Sequence, residues 1–212
     1  MNGIAERLAA VREEMKAAGC DALVVPRADE YLGEYIPAHN ERLRWLSGFT
    51  GSAGFVLLTQ ERAAIFVDGR YTVQVRQEVS SELFEYCRFG VDPHAQWLAA
   101  NLPRGATVAC DTRMHPLRWY RQSQADLHSQ GLQLVPCSHN LIDACWHDRP
   151  SPVISPALLL SEQFTGESSL SKRQRIGASI ASKGADVALV FAPDSISWLL
   201  NIRGTDIPKL PV

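Results

Sequence analysis

Apolar residues fall at helical spacing from the first residues of the chain: Ile4, Leu8, Val11 and Met15 are separated by Glu and Arg, and Gly19 stands where such a helix stops. The apolar run "DALVVP" follows at once, so the opening reads as an amphipathic helix leading into a strand. From Arg27 to Phe49 polar turns enclose two short helical pieces. Beyond them "SAGFVLLTQERAAIFVDGRY" holds two apolar runs around the polar "TQER", the pattern of a β-hairpin. Tyr71, Val75 and Val79 then share a helical face. "LFEYC" reads as a short strand, and "DPHAQWLAANL" as a helix opened by Asp92 with Pro93 at its first position. "TVAC" and "LQLVP" are further strands on either side of a helix over "HPLRWYRQSQADLHSQG", and "NLIDACW" closes the region as a short helix. This alternation, with one hairpin inside it, predicts an α/β domain over residues 1–147, a mixed sheet flanked by helices.

Periodicity fades over residues 148–169, where Pro150, Pro152 and Pro156 mark a connector. After it the opening order recurs: an amphipathic helix, a glycine, an apolar strand entered through Asp, and a Trp-Leu helix end followed by Gly and a hydroxyl residue. Gly19 matches Gly184 and Asp21 matches Asp186. Ala22 and Leu23 match Ala188 and Leu189 after a one-residue slip, and Trp45 and Leu46 match Trp198 and Leu199. Residues 170–212 therefore read as the start of a duplicated second domain. A shortened α/β copy leaves an apolar edge in need of cover, so the chain reads as the front of a longer polypeptide.

Composition narrows the function classes. With 212 residues, 46% of them hydrophobic, the chain can bury a substantial core. Its 21 basic and 23 acidic side chains give a net charge of -2, which draws it neither to nucleic acid nor to an anionic membrane. The N-terminus carries charges among its apolar positions and has no continuous apolar core, so it is neither a signal peptide nor an anchor. Five widely spaced cysteines suit reduced thiols in a cytoplasmic protein.

Candidate chemistry centres first on "RWLSGFTGSAGF". A phosphate-binding loop needs GxxxxGK[ST], or GxGxxG opening a helix, whereas these glycines lack the Lys and lead into a strand. A nucleophile elbow needs GxSxG, and Ser52 follows Gly51 directly. A structural turn is left. "CSHNLIDACWH" offers Cys137, His139, Cys145 and His147 as ligand types, but the C-x-H spacing is awkward for a tetrahedral zinc site, and ordinary packing is the favoured reading. HExxH and Asp-rich calcium loops are absent. His94 and His115, beside prolines at helix starts, read as capping or surface residues. In "NERLRW", Arg42 or Arg44 could face a ligand carboxylate, although a solvated helix face is the commoner outcome. Asp68 in "VDGRY" reads as a cap, and Gly204 in "NIRGTD" as a helix C-cap that leaves Arg203 and Asp206 projecting.

Three strings, "RLRWLSGFTGSAGFVLLT", "AAIFVDGRYTVQVRQEV" and "ISWLLNIRGTDIPKLPV", resemble the N-terminal region of the Xaa-Pro aminopeptidase family, among the creatinase and prolidase-like metallopeptidases. The resemblance is to the three-domain form, in which two creatinase-type N-terminal domains precede a catalytic "pita-bread" domain. It implies a hydrolase that removes the first residue from peptides with proline second. Two divalent ions, manganese or zinc, are implied in the catalytic domain, held by two Asp, one His and two Glu. That domain lies outside this chain, so no catalytic or metal-ligating residue is assigned here and the chain alone is expected to be inactive. The resemblance also implies a homodimer in which the N-terminal part borders the active-site entrance. By position, His39, Arg42, Arg44, Trp45, Arg203 and Asp206 are the substrate-access or interface candidates. In some shorter relatives an acidic residue takes the place that Arg42 fills. The alternative is a stand-alone binding or assembly module with a creatinase-type fold and no peptidase activity.

Overall fold

The computed structural model describes residues 3–207, 209 and 210. Met1, Asn2, Pro208, Pro211 and Val212, at the two ends of the expected repeat, lie outside the described residues. The chain divides into two compact units, residues 1–34 with 38–150, and residues 35–37 with 151–212.

The first unit begins with α1 (Ile4–Ala17) and β1 (Ala22–Pro26), followed by α2 (Arg42–Ser47), the hairpin β2 (Gly54–Thr59) and β3 (Ala63–Val67), and α3 (Gln74–Glu78). It continues through β4 (Glu85–Arg88), α4 (His94–Asn101), β5 (Thr107–Cys110), α5 (Leu117–Ser129), β6 (Gln133–Pro136) and α6 (Leu141–Cys145). The six strands form one sheet in the order β4-β3-β2-β1-β5-β6. β1 and β3 both run antiparallel to β2, and the remaining pairings are parallel, so the sheet is mixed as expected.

Strand residues alternate between two cores, as the period of the pleat requires. On one face Leu23, Val25, Val56, Leu58 and Ile65 meet Leu8, Val11 and Met15 of α1, Leu43 and Leu46 of α2, and Leu141 and Ile142 of α6. On the other, Val24, Leu57, Phe66, Val108 and Leu134 meet Ala95 and Leu98 of α4 and Leu127 of α5. Both faces are covered, which is why the central strands read as continuous apolar runs.

The glycine-rich segment is a structural turn. Gly48 caps α2 at φ 84°, a left-handed conformation that costs a glycine little. Gly54 opens β2 where a Cβ would stand 2.8 Å from the Phe66 carbonyl oxygen. Between them the Thr50 amide donates to Glu78 at 2.8 Å and its hydroxyl at 2.6 Å. Asp68 caps the turn after β3 through the Arg70 amide, as expected. Two local expectations fail. α4 begins one residue later than expected with Pro93 at its cap, because the Asp92 carboxylate turns back to the Arg88 amide. His94 and His115 do not cap the helices that follow them; both are half-buried, and each hides its Nε2 without a hydrogen-bond partner.

In the second unit, β7 (Leu158–Leu159) and α7 (Glu162–Thr165) lie within the stretch expected to be a connector; β7 finds a partner much later in the chain. α8 (Ser169–Ser182) and α9 (Pro193–Leu200) follow, then β8 (Ile202–Arg203), which pairs with β7. α9 ends at Asn201 in the left-handed conformation, not at Gly204. Asn201 can take that role because its side chain is engaged on both ends, accepting from Lys172 Nζ at 2.6 Å and donating to the Glu167 carbonyl at 2.9 Å. The expected strand around Asp186 forms no ladder: Val187, Leu189 and Phe191 stand 73%, 77% and 78% exposed. Among the described residues no helix is long and apolar enough to cross a membrane.

Two outcomes follow for solution stability. Gly54→Ala forces a methyl against the Phe66 carbonyl and should lower the unfolding free energy by about 1–3 kcal/mol in urea titrations. An unchanged midpoint would show that the β2–β3 ladder yields freely. Burial pushes the His115 imidazole down from 6.5 to about 4. Between those values the unfolded chain binds a proton that the folded chain refuses. The contribution of His115 is therefore full above pH 6.5 and is lost as pH falls toward 4. Acid titration of His115→Phe should show a shallower fall over that window than the parent, and parallel curves would refute the assignment.

Candidate functional site

The polar residues that gather in the first unit are anchored by the start of α6. Asn140 caps that helix, its Oδ1 accepting from the Ile142 and Asp143 amides at 3.0 and 3.3 Å. The same side chain donates to Asp111 Oδ2 at 2.9 Å, tying α6 to the end of β5. Asp111 also takes the guanidinium of Arg113 at 2.7 Å. Burial pushes the Asp111 carboxyl up, but the hydrogen bonds from Arg113 and Asn140 outweigh it and hold the group below its ordinary value.

Asp143, in the first turn of α6, receives two arginines. Arg42 grips it in bidentate fashion, Nε to Oδ1 at 2.7 Å and Nη2 to Oδ2 at 2.9 Å. Arg149 reaches Oδ2 at 2.7 Å. Arg149 also donates to the His39 carbonyl at 2.7 Å and to Asn40 Oδ1 at 3.1 Å, and Asn40 in turn donates to Glu30. The result is one connected lattice joining the loop before α2, the first residue of α2, the end of β5 and α6. Nearby, Asp29 is fully buried: Oδ1 accepts from the Tyr31 and Gly33 amides, while Oδ2 has no partner.

This arrangement positions rather than reacts. Arg42 is 3% exposed and its charge is directed at Asp143, so its side chain lies inside the unit rather than on a solvated face. Trp45 is also buried, its ring stacked on Trp146 with centroids 5.7 Å apart and the Arg7 guanidinium over the ring at 5.1 Å. Arg44, between them in sequence, is exposed. His39 is half-buried, and its imidazole is pushed below 6.5 by burial and by the charge of Arg149. Thus His39, Arg42, Arg44 and Trp45 belong to one neighbourhood but play unlike parts. Arg203 and Asp206 sit in the second unit, where Arg203 is exposed and Asp206 accepts from the Ser155 amide at 2.7 Å.

Cys137, His139, Cys145 and His147 do not converge, and no group of three or more metal-ligating side chains does so among the described residues. Cys137 and Cys145 pack against the core, where burial pushes their thiols up to about 12 and about 11. His139 instead pairs with its neighbour Ser138. These residues do not fit a metal ion. The residues that organise the neighbourhood, Asp111, Asn140, Asp143 and Arg149, carry one local signal in the sequence: the Asn140 cap three residues before Asp143.

Comparisons with known proteins bear on the whole chain. Residues 7–145 and residues 148–212 each match a family described as the Creatinase/Prolidase N-terminal domain. Aminopeptidase P1 of Arabidopsis thaliana is 34% identical over 91% of this chain and 30% of its own length. Xaa-Pro aminopeptidase ApepP of Drosophila melanogaster is 36% identical over 92% of this chain and 32% of its own. The chain therefore spans about a third of the length of these relatives. The crystal structure of X-prolyl aminopeptidase from Caenorhabditis elegans, described as a cytosolic enzyme with a di-nuclear active site, superposes over 100% of this chain and 36% of its own. The TM-score is 0.89 at 29% identity.

Removing one partner of a buried ion pair strands the other. Asp143→Ala should cost about 3–5 kcal/mol in urea unfolding. The apolar pair Arg42→Met with Asp143→Leu should recover most of that loss, because the buried Arg42 charge is then removed with its partner, while Arg149, which also loses Asp143, is part-exposed and keeps the His39 carbonyl and Asn40. A single-mutant loss below about 1 kcal/mol would show that water reaches Arg42.

Proposed function

Because this chain belongs to the creatinase/prolidase N-terminal domain family, we propose that it is the non-catalytic N-terminal part of a Xaa-Pro aminopeptidase. The observation that carries this reading is the match along the full length of the chain to little more than a third of the nematode enzyme. In this reading two divalent ions, manganese or zinc, are held by a domain that follows, and they supply the hydrolytic chemistry there. The part played by this chain is to support a homodimer and to limit which peptides reach that centre. Substrates are peptides with proline second, and the compartment is the cytoplasm.

The geometry supports that division of labour. Arg42, Asp143 and Arg149 lock the loop that carries His39 against α2 and α6, so the exposed Arg44 projects from a rigid base. An exposed guanidinium on such a base can meet a carboxylate of a peptide or of a second subunit without first being ordered. Arg203 on the second unit is available for the same kind of contact.

The chain supplied with Mn2+ or Zn2+ should release no N-terminal residue from Xaa-Pro peptides above background, and turnover by the isolated chain would overturn the proposal. In the longer polypeptide, Arg44→Ala should change KM for extended Xaa-Pro peptides by up to about fivefold, or weaken the dimer to a like degree, with kcat unchanged. Unaltered peptide preference together with an unaltered sedimentation profile would remove Arg44 from the access surface.

A further inference from the structure

The loop that leaves β1 displays two neighbouring apolar side chains to water: Tyr31 is 66% exposed and Leu32 45%. Leu32 stands at φ 55°, in the left-handed region that a bulky L residue enters at a cost, although Gly33, which enters it freely, is the next residue. A strained backbone of this kind persists only where the surrounding structure enforces it.

Buried polar groups enforce it here. Asp29, fully enclosed, accepts from the Tyr31 and Gly33 amides through Oδ1, both at 3.1 Å, and its carbonyl accepts from the Leu32 amide at 3.2 Å. Arg27 closes the other end of the loop, donating to the Glu34 carbonyl at 3.0 Å, to the Ser52 carbonyl at 3.2 Å and to Glu41 at 3.3 Å. Asn40 holds Glu30 at 3.1 Å. The side chains of Tyr31 and Leu32 take no part in these bonds, so the fold fixes the backbone of the tip and leaves its two apolar groups in surplus. The flanks of the tip are acidic. Glu30 and Glu34 are exposed on either side, whereas the one basic group of residues 27–34, Arg27, is already occupied. An apolar tip in a negative field is complementary to the first residue of a peptide, which presents an apolar side chain beside an α-ammonium.

We propose that Tyr31 and Leu32 are specificity-determining residues that pack against the side chain of the first residue of the peptide and favour an apolar one. This rests on the peptidase reading and adds to it a preference at the position that is removed. Tyr31 brings a large flat surface with little conformational freedom to lose. Leu32 adds aliphatic area from a backbone that is already ordered, so contact with a peptide carries a smaller entropic cost. Removing about 50 Å2 of apolar surface from water is worth about tenfold in affinity, and a leucine side chain laid on this tip can reach that area where a serine cannot.

The peptides Leu-Pro-Ala and Ser-Pro-Ala, cleaved by the longer polypeptide, differ only in the first side chain and serve as the paired substrates. Tyr31→Ser should raise KM for the leucine peptide about tenfold and leave the serine peptide within about twofold, with kcat unchanged for both. Tyr31→Phe keeps the ring and should keep the preference. Leu32→Asn suits the left-handed backbone, so it should unfold in urea at no lower concentration than the parent while the preference for leucine falls, a loss that cannot come from unfolding. Equal losses on the two peptides, or an unchanged ratio between them in both Tyr31→Ser and Leu32→Asn, would overturn the proposal and leave the peptidase reading standing. A parent polypeptide that cleaves neither peptide would overturn both. A weakened dimer in Tyr31→Ser with an unchanged ratio would also overturn it, since the tip would then belong to the contact with a second copy.

Discussion

A guanidinium that is almost wholly enclosed must have a carboxylate beside it, and the bidentate pairing of Arg42 with Asp143 is the contact around which the first unit is arranged. The two residues stand 101 positions apart, so their meeting requires α2 and α6 to lie side by side on the same face of the sheet, both against α1. Once that is set, Trp45 and Trp146 are brought into a stack, and Arg149 falls within reach of both Asp143 and the loop before α2. Helical geometry does the rest. With Arg42, Leu43, Trp45 and Leu46 all turned inward, residue 44 points away from them, and its charge is left for solvent or a partner. The exposed arginine is thus a consequence of the buried one.

Local pattern made most of the first unit legible. The period-2 and period-3.6 apolar spacings correspond to real strands and helices, the "TQER" hairpin is present, and the glycine-rich segment is the turn that its spacing left as the surviving reading. Tertiary relations were not legible. Nothing near Arg42 in sequence announces Asp143, so its residue type suggested a solvated face or a ligand contact. His94 and His115 show the same limit from the other side: a neighbouring proline speaks for a helix start, but the packing of α4 and α5 over the sheet decides where the ring goes. Asn201 displaced Gly204 as the cap because Lys172 and the Glu167 carbonyl engage its side chain, a three-way contact that residue preference alone cannot express.

The second unit shows what a strand pattern does and does not contain. Residues around Asp186 repeat the composition of β1, yet β1 is a strand because β2 and β5 hydrogen-bond to its two edges. Without such neighbours among the described residues, the same kind of sequence forms no ladder and leaves its valine, leucine and phenylalanine side chains in water. The helices around it are nevertheless held. Lys172 is buried between α8 and the end of α9, donating to the Trp198 carbonyl at 3.0 Å and lying 4.4 Å from the Trp198 ring centroid. Helices can be fixed by one such buried cation, whereas a strand needs a partner along its whole length.

Structure and function compete for the same polar groups, and in the first unit structure takes most of them. Thr50 and Gln74 are bound to Glu78, Asp68 to Arg70, Ser52 to Tyr71, Asp111 to Arg113 and Asn140, and Asp143 to two arginines. A group already satisfied by the fold is a poor ligand, because recruiting it breaks a bond before making one. What distinguishes a functional position here is therefore not its residue type but its surplus. By that measure the exposed guanidinium of Arg44 stands apart from the many residues that first look chemically eligible. It faces outward, where a partner or peptide can reach it. The unpartnered imidazole nitrogens of His94 and His115 are enclosed by the fold itself and offer nothing to a molecule in solution.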